Sequence, residues 1–251
     1  MRDEKDRDPL RLFCTDVGRC PRAVALRMTQ AAKRPISENE ARNQRFMWNL
    51  AEYIEEMLSF ALADKEMLGG YQDSVPIDDH ENWGGRLDIL TTEPRVIEVK
   101  TIRPNAFNFH DRPKKEHVYQ AVIYQHYLGH ELKPILVYFD RGGANTPEQY
   151  EVSYSWDRIA TMMDELDAVR DNLPELPGIL PPMLKRTDRG KNVKLMPDWR
   201  CGYCDYREAS CQPHASTSLW VEGTTIKPTA DIDKLAEWAE EQADEALRAL
   251  L

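Results

Sequence analysis

The chain has 251 residues and no apolar run near the roughly 18 residues that a membrane-spanning helix requires, so no membrane segment is expected. Nor does it open on the apolar stretch of a secretory signal. Its first residues, MRDEKDRDPL, are mostly charged, and residence in the cytoplasm is the expectation. A basic surplus is missing too. The formal net charge is −10, whereas proteins that coat nucleic acid carry an excess of Lys and Arg. That balance weighs against a general nucleic-acid binder, but it leaves room for an acidic centre that recruits divalent cations beside a local basic groove. Cysteine is scarce and odd in number, with five residues at Cys14, Cys20, Cys201, Cys204 and Cys211. Without a secretion signal this argues against a disulfide framework, and the Cys201-x-x-Cys204 pair favours a metal or redox role. Core-forming residues are not scarce: 41% of the chain is apolar and 9% aromatic, which excludes a disordered chain.

The periodicities point to a mixed architecture. LRLFCTDVGRCPRAVALRM reads as a short loop entering a helix, with Pro21 at its start. From about Glu38 to Lys65 the chain has neither Pro nor Gly, and Phe46, Leu50, Ile54, Met57, Leu58 and Leu62 recur at helical spacing. Gly69-Gly70 is read as its stop. Strand-like segments follow at Tyr71–Ile77, Trp83–Thr92 and Arg95–Ile102, the last two forming a hairpin that turns at Glu93-Pro94. Lys114–Leu128 returns to a helical pattern capped by Gly129. Pro134–Asp140 and Gln149–Ser155 read as further strands, and Trp156–Leu173 as an amphipathic helix. The Pro-rich, basic stretch from Pro174 to Trp199 is read as irregular. Residues 212–228 look like linker, and Asp231–Leu251 like an acidic amphipathic helix. The order of elements predicts an α/β (or α+β) core.

The densest chemistry lies in Gly85-Arg86-Leu87-Asp88-Ile89 and Ile97-Glu98-Val99-Lys100-Thr101. Asp88 is expected in the middle of the first hairpin strand. Glu98 and Lys100, two apart on the second, project from one face, while Ile97 and Val99 turn into apolar packing. Two carboxylates on adjacent strands can share a hard cation such as Mg²⁺, and Lys100 beside them can orient or deprotonate a water and offset phosphate charge. Phosphodiester hydrolysis needs those parts. The bland alternative is the solvent face of an ordinary hairpin. In the helix that follows, His117, Gln120 and Tyr124 stand at i, i+3 and i+7 and line one face, from which they reach towards DNA phosphate or bound metal. Arg86, Arg103, Arg112, Lys114 and Lys115, with Lys185, Arg186, Arg189, Lys191 and Lys194 in the connector, are candidates to track a DNA backbone; ordinary solvated charge is the rival reading. Trp199 and Tyr203 are candidates for base stacking or for core packing.

Asp88, then Glu98-Val99-Lys100, then Gln120-x-x-x-Tyr124, resembles the RecB-type branch of the PD-(D/E)XK nucleases. Cys20 in Cys-Pro-Arg, together with Cys201-x₂-Cys204-x₆-Cys211, resembles the CRISPR-associated Cas-four type and related helicase-nucleases. The resemblance implies a restriction-endonuclease-like core with a mixed central sheet flanked by helices. It further implies a 4Fe–4S cluster ligated by Cys20, Cys201, Cys204 and Cys211 that clasps the N- and C-terminal segments together. Exonuclease action is the family expectation, with the Val99 carbonyl as an additional metal ligand. Members carry a His on the long N-terminal helix as a further ligand. Glu52 stands in that place here, with Glu55 and Glu56 as alternatives, and it is a competent ligand for Mg²⁺ or Mn²⁺. A zinc site built from Cys201, Cys204, Cys211 and His214 is the competing use of the cysteines. Cys14 is read as a plain thiol or as a replacement for Cys20.

The expectation is therefore a metal-dependent deoxyribonuclease acting on single-stranded DNA or DNA ends, in recombination and repair, phage replication or CRISPR adaptation. Residues 1–211 would form the nuclease domain, with its iron–sulfur segments at about 14–30 and 199–211. Residues 212–251 would be linker and an acidic helix suited to a protein partner. A non-cleaving DNA-processing accessory module, and a zinc-ribbon binding protein, are the alternatives.

Overall fold

The computed structural model describes residues 8–77, 82–102, 113–143, 145–173, 184–189, 192–197, 200–201, 204–207 and 209–211, with backbone alone at 184–189 and 192–197. The chain divides into two compact units. One comprises Arg11–Gly18 with Ile36–Met163, and the other Met1–Leu10, Arg19–Pro35 and Asp164–Leu251.

The first unit carries strand β1 (Leu12–Phe13), a 3₁₀ turn at Cys14–Asp16 and the long helix α2 (Glu38–Ala63). Five short strands follow: β2 (Leu68–Tyr71), β3 (Ser74–Val75), β4 (Trp83–Arg86), β5 (Ile89–Thr91) and β6 (Val96–Ile102). Helix α3 (Lys115–Tyr127), β7 (Ile135–Asp140), β8 (Glu148–Glu151) and the start of α4 (Trp156–Asp171) complete it. The main sheet has the order β2-β5-β6-β7-β8, and a smaller one the order β1-β4-β3. β6 and β7 are parallel and joined through α3, whereas β2–β5, β5–β6 and β7–β8 are antiparallel. Both sheets are thus mixed, because β1 also lies parallel to β4 while β3 runs against it. This is the mixed α/β, restriction-endonuclease-like arrangement expected.

Strand alternation decides which helix covers which face. Ile97, Val99 and Val137 pack with Ile54, Leu58 and Leu62 of α2. Ile102, Leu136 and Tyr138 pack with Val118 and Ala121 of α3. Glu98 and Lys100 share the parity of Ile102, so they lie on the α3 side of the sheet. α2 begins at a capping box, in which the Ser37 hydroxyl accepts from the Glu40 N–H at 3.2 Å and Glu40 Oε2 accepts from the Ser37 N–H at 3.0 Å.

Four local expectations need correcting. α2 ends at Ala63, and Gly69-Gly70 is not its stop but lies inside β2, where a Cβ on Gly69 would come within 2.6 Å of the Thr91 carbonyl. Tyr71–Ile77 is not one strand: Gln72, at φ 50°, breaks it between β2 and β3. Trp83–Thr92 breaks as well, at Leu87-Asp88, because β4 pairs with β3 while β5 pairs with β2. Asp88 therefore sits at a bend and not in mid-strand. The connector is not wholly irregular, since β9 (Leu184–Arg189) and β10 (Asn192–Pro197) form an antiparallel hairpin.

In the second unit, α1 (Pro21–Met28) starts at Pro21 as expected. Leu26, Tyr206 and Cys211 form a buried cluster with Ala23, Ala31 and Cys204 packed against it. The Arg34 N–H donates to the Asp205 carbonyl at 2.6 Å and the Ser210 hydroxyl to the Ala32 carbonyl at 2.7 Å, stitching residues far apart in sequence. The linker, the acidic tail helix, Arg103, Arg112, Lys191, Trp199, Tyr203 and His214 lie outside the described residues. Among the described residues no helix is long and apolar enough to cross a membrane.

Candidate active site

The bend at Asp88 is held by backbone pairing on both sides: the Gln72 N–H donates to the Asp88 carbonyl at 2.9 Å, and the Leu87 N–H to the Asp73 carbonyl at 3.0 Å. The Asp88 side chain turns across the hairpin, and its Oδ2 accepts from the Val99 N–H at 2.7 Å. The register Ile89↔Ile97 sets Asp88 opposite Glu98. Glu98 is wholly buried. Its Oε1 is ion-paired with the Lys100 ammonium, and its Oε2 has no hydrogen-bond partner. An orphaned oxygen on a buried carboxylate is costly. Burial, and then the Asp88 carboxylate, hold the Glu98 carboxyl well above its ordinary range against the pull of Lys100. Burial pulls Lys100 down, but Glu98 and Asp88 outweigh it and keep the ammonium above its usual value.

The long helix brings a further carboxylate, Glu55, within the field of Asp88. Glu52 is exposed. Glu55, three residues on, is half-buried, and its pKa is pushed up to about 7 by burial and by Asp88, with Lys100 opposing. Gln72 is its neighbour, with Nε2 3.5 Å from Glu55 Oε2 and 3.1 Å from the Tyr71 hydroxyl. Sequence reasoning gave Gln72 no role, since nothing in the sequence marks a left-handed glutamine. Arg86 is exposed; burial and the carboxylates of Glu55, Glu56 and Asp88 raise the Tyr71 hydroxyl, and Arg86 only opposes that shift and the one on Glu55.

On α3, Gln120 and Tyr124 are buried. Gln120 Nε2 donates to the Tyr124 hydroxyl at 3.2 Å, and that oxygen also accepts from the Arg86 N–H at 3.3 Å. The ring fits because residue 85 is glycine: a Cβ there would collide with Tyr124 and come within 2.9 Å of Cys14 Sγ. Cys14 is buried against this wall, and burial, with Glu98 and Asp16 adding, raises its thiol far above the ordinary value. His117 and Lys114 are half-buried and Lys115 is exposed. His117 Nδ1 lies 2.9 Å from the Tyr138 hydroxyl, and Tyr138 pairs with Lys100 across β6 and β7.

In the other unit, Cys204 and Cys211 are raised by burial, with Cys20 contributing to both, so the three thiols are electrostatic neighbours. The Cys204 N–H donates to the Cys201 carbonyl at 3.4 Å, closing a turn across the Cys-x-x-Cys pair. Among the described residues, no three His, Cys, Asp or Glu side chains form a ready-made cage for a metal ion.

A family model described as the PD-(D/E)XK nuclease superfamily matches residues 14–212. No curated protein matches significantly. Among solved structures, SSO0001 aligns with a TM-score of 0.50 at 18% identity, over 82% of this chain and 89% of its own. An alkaline exonuclease from Laribacter hongkongensis aligns at 13% identity over 65% of this chain and 91% of its own, with a TM-score of 0.42. Its complex with dAMP gives a TM-score of 0.41 at 13% identity over the same shares. At these identities the first likeness speaks for fold alone, and the other two are too slight to carry argument.

Proposed function

This chain belongs to the PD-(D/E)XK nuclease superfamily, and from that premise we propose that it is a metal-dependent deoxyribonuclease acting on single-stranded DNA or DNA ends, as an exonuclease. The observation that carries the reading is the convergence of Asp88, Glu98 and Lys100 at the bend of the β5–β6 hairpin. Glu55 joins them from α2 and replaces Glu52 as the third carboxylate.

PD-(D/E)XK nucleases typically use a divalent metal such as Mg²⁺ or Mn²⁺. The residues here fit one. Hard cations take oxygen donors and need only one or two carboxylates besides water, and Glu98 Oε2 is a buried acceptor with no partner. Carboxyls at positions 55 and 98 that resist ionisation beside Asp88 are groups whose charge a cation would relieve. Asp88 and Glu98 would hold the ion, with Glu55 of α2 as the candidate third carboxylate and the Val99 carbonyl, on the same strand as Glu98, as a further candidate ligand. Bound there, it would supply a Lewis acid for the phosphoryl oxygen and a more acidic water. Lys100, whose ammonium the acidic groups beside it favour, orients the attacking water or offsets phosphate charge. Gln120 and Tyr124 hold the Arg86 backbone and so the approach to Asp88. Arg86, Lys114, Lys115 and His117, with Arg103, supply cationic and polar contacts to the DNA backbone.

The Cas-four-like part of the reading is a 4Fe–4S cluster on Cys20, Cys201, Cys204 and Cys211. It is supported by the electrostatic proximity of Cys20, Cys204 and Cys211 and by the apolar packing around Cys204 and Cys211. Cys204 and Cys211, whose thiols burial and neighbouring thiols make reluctant to ionise, are stabilised as thiolates by bound metal. Residues 1–211 make up the nuclease region in this reading, with 212–251 as an appendage suited to a protein partner.

The test is cleavage of end-labelled single-stranded DNA with Mg²⁺ or Mn²⁺ by anaerobically purified protein and by Lys100→Ala. We expect degradation by the first and a loss of at least about 100-fold in the second. Folded, metal-supplied protein that leaves DNA intact in both forms would replace this reading with a non-cleaving DNA-processing module.

A further inference from the structure

Helix α2 has two apolar faces, and the sheet takes only one of them. Ile54, Leu58 and Leu62 pack with Ile97, Val99 and Val137. Phe46, Tyr53, Met57 and Phe60 are instead 63%, 57%, 46% and 55% exposed, and Leu50 among them is half-buried. From Phe46 through Leu50, Tyr53 and Met57 to Phe60 the steps are four, three, four and three residues, the repeat by which one helix offers a seam to another. At 3.6 residues per turn this seam lies about 130° around the helix from the sheet-facing residues. Large apolar side chains lined up in water mark an interface, and aromatic residues and Met are the types enriched there.

The charges beside the seam say what covers it. Arg42 and Arg45 precede Phe46, whereas Glu52, Glu56 and Asp64 follow Leu50, and all five are exposed. Arg42 pairs with Glu38 at 3.6 Å, but both side chains are well exposed, and such a pair is readily exchanged. The pattern is also symmetric. Phe46 and Phe60 stand seven residues either side of Tyr53, and Arg42 and Asp64 eleven. We propose that a second copy of this chain covers the seam, with α2 antiparallel to α2 about a two-fold axis at Tyr53. A two-fold interface brings residue i of one protomer to residue j of the other and j to i. Phe46 then packs on the partner's Phe60, and Arg42 lies opposite the partner's Asp64. A parallel pairing would set arginine on arginine and carboxylate on carboxylate, which repulsion disfavours. Glu55, two residues after Tyr53, points about 200° away around the helix, so the seam does not compete with the face that carries this carboxylate.

Sedimentation equilibrium of the full chain reads the association. The parent protein should show a monomer–dimer equilibrium, with a species of twice the chain mass. Tyr53→Glu should weaken it at least about 30-fold, the scale of an aromatic anchor at the centre of an interface. Charge reversal separates lost pairing from lost folding. Arg42→Glu with Arg45→Glu makes the first half of the seam acidic like the second, and Glu56→Lys with Asp64→Lys makes the second half basic like the first. Each double variant should be monomeric alone at concentrations where the parent dimerises, and their equimolar mixture should sediment as a heterodimer. A dimer that survives Tyr53→Glu, or a mixture no more associated than its components, would overturn the proposal. So would a parent that stays monomeric at every loading concentration, which would leave the seam to a different protein.

Discussion

At the scale of single residues, the centre is organised by carboxylates that lack enough positive charge among themselves. Asp88 has the Val99 N–H and Glu98 has one oxygen on Lys100, whereas Glu55 has a long contact from Gln72 and the fields of Lys100 and Arg86. Its pKa of about 7 means that folded, metal-free protein holds a proton at Glu55 between about pH 4.5 and 7 that the unfolded chain has released. The folded state binds more protons there, so this group's contribution to stability falls as pH rises through that window. Metal-free protein should therefore melt at a higher temperature near pH 5 than near pH 8 as far as Glu55 is concerned. Glu55→Gln should flatten that slope, and Mn²⁺ should raise the melting temperature more at pH 8 than at pH 5. In cleavage, Glu55→Gln should cost at least about tenfold while Glu52→Gln stays near the parent. Equal losses in both would return the third ligand to an open choice along α2.

At the scale of elements, what delivers Glu55 is a long helix whose start is defined by its cap. Ser37→Ala removes the hydroxyl that accepts the Glu40 N–H and should lower stability by about 1 kcal/mol. Urea unfolding measures it, and DNA cleavage by the folded variant should persist, because the cap lies well before Glu55 on the helix. The helix, the turn at Glu93-Pro94 and the parity of Glu98 and Lys100 were legible, since each depends on neighbours in sequence; the Ser37-x-x-Glu40 cap had the same kind of local signal and went unread. What was not legible depends on pairing at a distance. The bend at Asp88 arises because β4 and β5 take different partners, and no local signal foretells a change of partner. Glu52 and Glu55 look alike in a helical pattern, and only the position of Asp88 distinguishes them. The β9–β10 hairpin did carry a signal, the alternation of Val193 and Leu195 with Lys194 after Gly190, which the surrounding Pro and Lys residues masked.

At the scale of the whole molecule, the cysteines divide into two kinds by where the fold puts them. Cys14 is buried against Gly85 and Tyr124, in surroundings that keep a thiol protonated and inert. Cys20, Cys204 and Cys211 interact with one another, and Cys201 is tied to Cys204 by a turn. A metal group on these four would join the start of α1 to residues near the far end of the described chain, and closing so long a loop stabilises mainly by restricting the unfolded chain. Anaerobically purified protein should accordingly be brown and contain iron and acid-labile sulfide. Cys20→Ser should bleach it and lower its stability by on the order of a few kcal/mol, whereas Cys14→Ser should keep the colour and the iron. Colourless protein with one zinc per chain, unchanged by Cys20→Ser, would instead point to a local site on Cys201, Cys204 and Cys211 with His214 as the fourth ligand. In that case Cys20 would be a packing residue at the head of α1, and no clasp would join the two chain segments.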